Sequence, residues 1–352
     1  MKIKMPKFKF KLRRMDVERI LITCSAAFVV LLAVRGGGPT EMYEEPYDQI
    51  PAEQTATTAE TPTQPTVVYY QDGDGYLVPV QREVEQQEGI AKATLSLMVA
   101  NAKNDMEAAR LGLLTVVPEG TTFDLDISGG HARVDLSAEA LNNQTAEQES
   151  NMVSAVVWAL TEFPTVSDVE FLVDGQQLKT LPHGTPIEGR MQREGLNLER
   201  VETVETFAGA NQVQLYFPSD SGRLLVPVTR TVYSDEDVAT AMLEWLKGPR
   251  DDSGLQEAAP SDAALLGVTI KDGVATVNFT EEFVKISEQS DGGVQSMRAL
   301  VMTCRQFPGV QRVEVQVEGE PYELPTGQKD QPTFANVAAE VVEQFPEVMQ
   351  VE

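Results

Sequence analysis

His131 and His183 are the two histidines of the chain, and they are the first groups to test for chemistry. A histidine that moves protons in a reaction needs a nucleophile or a carboxylate within hydrogen-bond reach. Neither the Gly129-Gly130 turn before His131 nor the Leu181-Pro182-His183-Gly184 loop marks one in its flanking sequence, so both read as surface residues. Asp72-Gly73-Asp74-Gly75 carries alternate acids of the kind that ligate calcium. It lacks the sixth-position Gly and distal Glu of an EF-hand loop and runs directly into Tyr76-Leu77-Val78, which leaves a turn built on Asp and Gly backbone tolerance. The carboxylate pairs Asp251-Asp252 and Glu281-Glu282 belong to a chain with 54 acidic residues and read as solvated surface. Leu324-Pro325-Thr326-Gly327 lacks one residue of a sortase signal, and an acidic stretch follows it where an apolar tail would be needed. The two cysteines, Cys24 in an apolar N-terminal run and Cys304 on an apolar helical face, offer no disulfide within a domain. No Cys/His cluster has metal-ligand spacing, and no Gly-rich phosphate loop precedes a helix. The residues therefore predict no catalytic, cofactor-binding or metal site, and function is expected to reside in surfaces.

Charge narrows the class of partner. The formal net charge is −26, although the first fourteen residues carry Lys2, Lys4, Lys7, Lys9, Lys11, Arg13 and Arg14 and no acid. Nucleic-acid binding depends on neutralising phosphates with Lys and Arg, so so acidic a body excludes nucleic-acid readers. After the basic run, Ile20 to Val34 is free of charge and is closed by Arg35. As a helix it would span roughly 22 Å, short of a ~30 Å hydrocarbon core but workable with local thinning and snorkelling by Arg19 and Arg35. The positive flank should stay in the cytoplasm. Residues 1–19 are thus expected to be a cytoplasmic N-terminus, 20–35 a single-pass transmembrane signal anchor, and everything beyond extracytoplasmic. Cleavage and secretion form the alternative, disfavoured because Ala33-Val34-Arg35 places a charge where a small residue is required. A lipobox at Leu21-Ile22-Thr23-Cys24 is weaker still, because the apolar run continues past Cys24. Residues 36–66, rich in Pro, Thr, Glu and Gln, cannot offset their ordering entropy by burial and are expected to form a disordered acidic spacer.

The remaining sequence states one pattern twice, about 145 residues apart, a period far longer than the roughly 20 to 50 residues of a solenoid unit. Leu77-Val78-Pro79-Val80 returns as Leu225-Val226-Pro227-Val228, and Gly130-His131-Ala132-Arg133-Val134 as Gly273-Val274-Ala275-Thr276-Val277. Phe163-Pro164, followed by Val169, Phe171 and Val173, returns as Phe307-Pro308 with Val313, Val315 and Val317. Each copy reads as hairpin, helix, two strands, helix, strand. Val238, Ala241, Met242, Trp245 and Leu246 follow helical spacing, Lys271-Asp272-Gly273 is a tight-hairpin signal, and the final strands alternate. A sheet with one apolar face needs amphipathic helices to cover it. The expected fold is α+β, with a small mixed β-sheet covered by two helices in each copy. Domain 1 covers 67–185 and domain 2 covers 213–325; 186–212 is a linker and 326–352 an acidic C-terminal tail with a weak amphipathic pattern.

Leu225-Val226-Pro227-Val228, Leu243-Glu244-Trp245-Leu246-Lys247-Gly248-Pro249, Lys271 to Phe279 and Phe307-Pro308-Gly309-Val310-Gln311-Arg312-Val313 resemble the GerMN domain. The first copy departs from the pattern at Ala100-Asn101, where Gly-Pro is expected. The resemblance implies tandem GerMN domains similar to the ring-building motif and a sporulation or spore germination process. It also implies a non-enzymatic, membrane-anchored scaffold whose partners are envelope proteins, such as components of the mother cell to forespore channel, with oligomerisation open. The alternative reading is an envelope ligand-binding or sensor module, and more remotely a peptidoglycan-directed hydrolase. Which surface meets a partner is left open by the sequence; a sheet edge left unpaired in either copy would be a candidate, because exposed edges accept strands from other chains.

Overall fold

The computed structural model describes residues 62–87, 89–199, 209–325 and 331–344. The expected N-terminus, membrane segment and most of the spacer lie outside the described residues. Among the described residues no helix is long and apolar enough to cross a membrane.

The first copy opens with an antiparallel ribbon, β1 (Thr63–Gln71) and β2 (Leu77–Glu85). Its turn is the Asp72 motif. The Asp72 carboxylate accepts from the N–H groups of Asp74 (3.0 Å) and Tyr76 (2.8 Å), so the acid is spent on its own backbone. Two short helices follow, α1 (Ile90–Ser96) and α2 (Ala102–Ala109), then β3 (Phe123–Ser128), β4 (His131–Leu136), the long α3 (Ala146–Thr161), β5 (Asp168–Val173) and the two-residue β6 (Arg190–Met191). The second copy repeats the order with β7 (Asn211–Pro218), β8 (Leu225–Val232), α4 (Val238–Leu246), β9 (Leu265–Lys271), β10 (Val274–Phe279), α5 (Val294–Arg305), β11 (Arg312–Val317) and β12 (Glu320–Pro321). A last helix, α6 (Ala338–Gln344), follows.

Each copy divides its strands between a two-stranded ribbon and a four-stranded mixed sheet, ordered β3-β4-β5-β6 in one and β9-β10-β11-β12 in the other. The pairs β4·β5 and β10·β11 are parallel, because a helix crosses over between their strands, and the flanking pairs are antiparallel. Register aligns the apolar positions, with Val134 between Leu125 and Phe171 and Val277 between Val268 and Val315. The long helix is the spine of each copy, with α3 packing on β1 and β5 and α5 on β7 and β11. Trp245 is fully buried and donates its indole N–H to the Tyr216 carbonyl at 3.0 Å. Phe279 and Phe283 stack with centroids 4.1 Å apart. Cys304 is buried beside Met242, and desolvation pushes its thiol up to about 12, which makes it a packing residue.

Three expectations are corrected. The first copy has two helices after its ribbon where the second has one. The cause is the Ala100-Asn101 departure itself, because Asn101 is the N-cap of α2 and its side chain accepts from Lys103 and Asn104. Residues 63–66, read as the end of the spacer, are strand; their backbone pairs with Arg82 to Glu85 despite their polar side chains. The stretch read as a linker buries Ile187 and Leu196 and contributes β6, for its apolar residues are scattered too sparsely to show a period.

One buried charge holds the end of the first copy. Glu149, in the first turn of α3, accepts from the backbone N–H groups of His183 (2.8 Å) and Thr185 (2.9 Å). Burial raises its carboxyl, but these two donors outweigh it and hold the pKa below its ordinary value of 4.5. A depressed folded pKa gives stability that is full above the ordinary value and is lost as pH falls through the folded one. Glu149→Gln should therefore cost about 1–3 kcal/mol at neutral pH by leaving buried donors poorly paired. The deficit, followed by urea unfolding from pH 7 down to pH about 3, should shrink on acidification.

Candidate functional site

The ribbon strands β2 and β8 meet across the centre of the compact unit that holds both copies. Their repeated Leu-Val-Pro-Val sequence is what meets. Proline has no N–H to give, so neither strand can complete a ladder through Pro79 or Pro227, and side-chain amides bridge the strands instead. Two asparagines supply them. Asn197 donates from Nδ2 to the carbonyls of Leu77 (2.8 Å) and Pro227 (2.7 Å), while its Oδ1 accepts from the Leu77 N–H (2.8 Å). Asn336 donates to the carbonyls of Leu225 (2.8 Å) and Pro79 (2.9 Å) and accepts from the Leu225 N–H (2.7 Å). Exchanging the copies exchanges the two sets, so the junction has pseudo-twofold symmetry.

The segments carrying these asparagines cross over. Leu198, which trails the first copy, bridges Thr229 of the second in parallel, and Val337, which trails the second, bridges Gln81 of the first. The Thr229 N–H donates to the carbonyl of Asn197 (3.3 Å) and the Gln81 N–H to that of Asn336 (2.8 Å). Asn197 sits at φ 52°, a left-handed conformation that asparagine tolerates better than most residues. Gly195 is needed for close approach, because a Cβ there would stand 2.6 Å from Thr229 Cγ2. Glu199 then grips Arg230 with two bonds of 2.7 and 2.8 Å, and Arg230 also donates to the carbonyls of Glu244 and Gly248.

Tyr69 and Tyr216, which face Pro79 and Pro227 across their ribbons, are buried at the same junction. The Tyr69 hydroxyl donates to Glu162 (2.8 Å), Glu162 pairs with Arg193 (2.8 Å), and Arg193 lies 4.5 Å from the Trp158 ring centroid. Burial first, and the Glu162 charge second, push both phenols well above their ordinary value, so both stay neutral. The tail is tied back to its own copy by Arg298, which pairs with Glu340 at 3.1 Å, and by Arg305, which donates to the Pro332 carbonyl at 2.6 Å.

The residues singled out for chemistry go to structural uses. His131 does have a carboxylate in reach, contrary to the reading of its flanking sequence, because the parallel register brings Asp168 opposite it. Its Nδ1 lies 2.8 and 2.9 Å from the Asp168 oxygens, and its Nε2 accepts from Arg190 at 2.8 Å. The imidazole is thus filled on both sides and pins β6 to the sheet. His183 donates from Nε2 to the Asn143 carbonyl at 2.7 Å. Asp251 and Asp252 are exposed in a turn, and Glu281 and Glu282 lie in a 3-10 turn after β10. A hydrogen bond from the Thr280 hydroxyl holds the Glu282 carboxyl below its ordinary value. Among the described residues no group of three or more His, Cys, Asp or Glu side chains is placed to hold a metal ion. What is open is backbone. The outer edges of β3 and β9 pair with no strand among the described residues. Each presents an isoleucine beside the same core alanine, Ile127 opposite Ala132 and Ile270 opposite Ala275, exposed by 38% and 53%.

Asn197 and Asn336 are the functional residues that sequence reasoning missed. Each stands between apolar neighbours after its copy, Leu196-Asn197-Leu198 and Ala335-Asn336-Val337. That shared tripeptide was the available signal. Asn197→Ala or Asn336→Ala should each cost about 1–3 kcal/mol through buried groups left unpaired. In scanning calorimetry the parent should melt in one transition, and the double variant in two as the copies uncouple.

A protein-family model described as "Germane: Sporulation and spore germination" matches residues 67–179 and 214–323. The spore germination protein GerM of Bacillus subtilis (strain 168) is 30% identical over 263 residues, spanning 72% of this chain and 71% of that protein. The solved tandem GerMN domains of the sporulation protein GerM from Bacillus subtilis superpose with a TM-score of 0.67 at 29% identity, over 78% of this chain and 99% of the other.

Proposed function

The chain belongs to the Germane family of sporulation and spore germination proteins, and we propose that it is a non-catalytic scaffold, anchored in the membrane with its paired GerMN copies outside the cytoplasm. Its task on this reading is to support an envelope complex such as the mother cell to forespore channel through protein contacts. The observation that carries the proposal is how the clasp distributes surfaces. The ribbons are consumed on each other, while the edges of β3 and β9 stay unpaired among the described residues and each carries an exposed isoleucine. Strand edges of this kind accept backbone from a partner. The reactive side chains, by contrast, are committed to turns, loop ends and strand pinning. The basic flank and the uncharged run from Ile20 to Val34 support the anchor.

The test is crosslinking of the full chain in sporulating cells, purification from membranes and mass spectrometry of what comes with it. Channel components should be recovered, and Ile270→Lys together with Ile127→Lys should reduce their yield without changing the thermal transition of the purified protein. Recovery of none, from cells shown to be assembling the channel, would remove the scaffold assignment and put an envelope binding module in its place.

A further inference from the structure

The two halves of the clasp share their asparagines and differ in what stands beside them. Leu77-Val78-Pro79-Val80-Gln81-Arg82 matches Leu225-Val226-Pro227-Val228-Thr229-Arg230 position for position. A strap from the first copy, Leu196 to Glu199, lies against the second of these strands, and a strap from the second copy, Ala335 to Ala338, lies against the first. Arg82 and Arg230 are therefore counterparts, and so are Ala338 and Glu199.

On the Asn197 side the strap is held by more than its asparagine. Glu199 binds Arg230 through both carboxylate oxygens, at 2.7 and 2.8 Å, and the two side chains are only 12% and 13% exposed, so solvent screens the pair little. The Glu199 N–H donates to the Thr229 carbonyl at 2.9 Å, and the Thr229 hydroxyl donates to the Leu196 carbonyl at 2.7 Å. On the Asn336 side Arg82 is spent inside its own copy, on the Tyr70 hydroxyl and the Glu107 carboxylate, both at 3.0 Å. Ala338 brings it no carboxylate, and Gln81 stands where Thr229 does. The ion pair of this strap, Arg298 with Glu340, ties it to the second copy and leaves Glu340 48% exposed. Among the described residues no ion pair joins residues 331–344 to the first copy. What holds the strap there is Asn336, the Gln81 bridge and the packing of α6 on β2.

We infer that the clasp is a latch with one fixed and one releasable half. The strap running from Ala335 into α6 lifts from β2 while the strap of Leu196 to Glu199 stays closed. Lifting frees the Pro79 carbonyl and the Gln81 N–H, and it removes the amide that serves Leu225. The ribbons are then joined at the Asn197 end alone, and a two-point clasp becomes a hinge. Local openings of this kind involve the parts of a fold with the fewest stabilising contacts. A charge-assisted, two-bond grip present on one side and missing on the other is worth about ten-fold or more in the opening equilibrium.

Hydrogen exchange of the full chain in detergent micelles, resolved at single amides, compares the two halves within one molecule. One matched pair is the Gln81 N–H on the Asn336 carbonyl against the Thr229 N–H on the Leu196 and Asn197 carbonyls. The other is the Leu225 N–H on Asn336 Oδ1 against the Leu77 N–H on Asn197 Oδ1. Relative to their intrinsic rates, Gln81 and Leu225 should exchange about ten-fold faster than Thr229 and Leu77. Glu199→Ala should lower the protection of Thr229 and Leu77 to that of Gln81 and Leu225, while the sheet amides of Val134 and Val277 stay protected. Equal or reversed protection within the pairs of the parent protein would overturn the inference, because the clasp would then open as a whole or from its other end. So would a Glu199→Ala protein in which Thr229 and Leu77 keep the parent's protection, since the carboxylate would not be what fixes its half.

Discussion

A proline in a strand has no N–H to give to a facing strand, and the junction between the two copies is built on how that gap is bridged. Pro79 and Pro227 occupy the same position in β2 and β8, and the two strands face each other. A side-chain amide carries donors and an acceptor on one rigid plane, so a single asparagine can serve the N–H and C=O of one strand and the proline C=O of the other. Asn197 and Asn336 do this reciprocally. Because each asparagine belongs to the segment that trails one copy, satisfying these groups draws that segment across the other copy's ribbon. The burial of Tyr69 and Tyr216 and the Glu199 grip on Arg230 are built on the approach that results.

Much of this was legible in the chain. Leu-Val-Pro-Val, the Phe-Pro helix stops and the alternating final strands announced two copies of one α+β unit, because each rests on local backbone rules or on periodic burial. The residues that join the copies were not legible, since they act singly. Asn197 and Asn336 stand at different distances from their repeats, which breaks the alignment that revealed everything else. Glu149 looks like one more acid in an acidic chain, and only the fold shows the two amides it receives. His131 seemed to lack a carboxylate because Asp168 is distant in sequence and arrives through parallel register. Contacts of that kind depend on pairings that no short window of sequence contains.

The same scaffold supports different local solutions in its halves. Asn101 opens an additional helix where the second copy stops at Gly248-Pro249. The α3 position of Glu149 is matched near the start of α5 by Gly293, where a Cβ would lie 2.6 Å from the Ile286 carbonyl, and Asp291 takes over by accepting from the N–H groups of Gly293 and Gln295. His131 and Arg190 fasten a strand in one copy, while in the other the Gln331 side chain holds the Val313 N–H. The asparagine contacts of the junction are kept on both sides, while the flanks differ. That distribution is what different outward contacts from a common frame require.

The crossing of the trailing segments also imposes an order in time. Asn336 reaches a carbonyl 257 residues earlier in the chain, at Pro79. During synthesis the first copy can assemble its sheet and spine early, with Asn197 already on Leu77, yet the Pro79 to Gln81 part of its β2 edge stays uncovered until Asn336 has followed. The bond at Asn197 needs only β8, so the clasp closes in two steps, with the far end of the chain sealing the beginning. Truncation near the C-terminus would therefore be felt most at the ribbon of the first copy, the part made first.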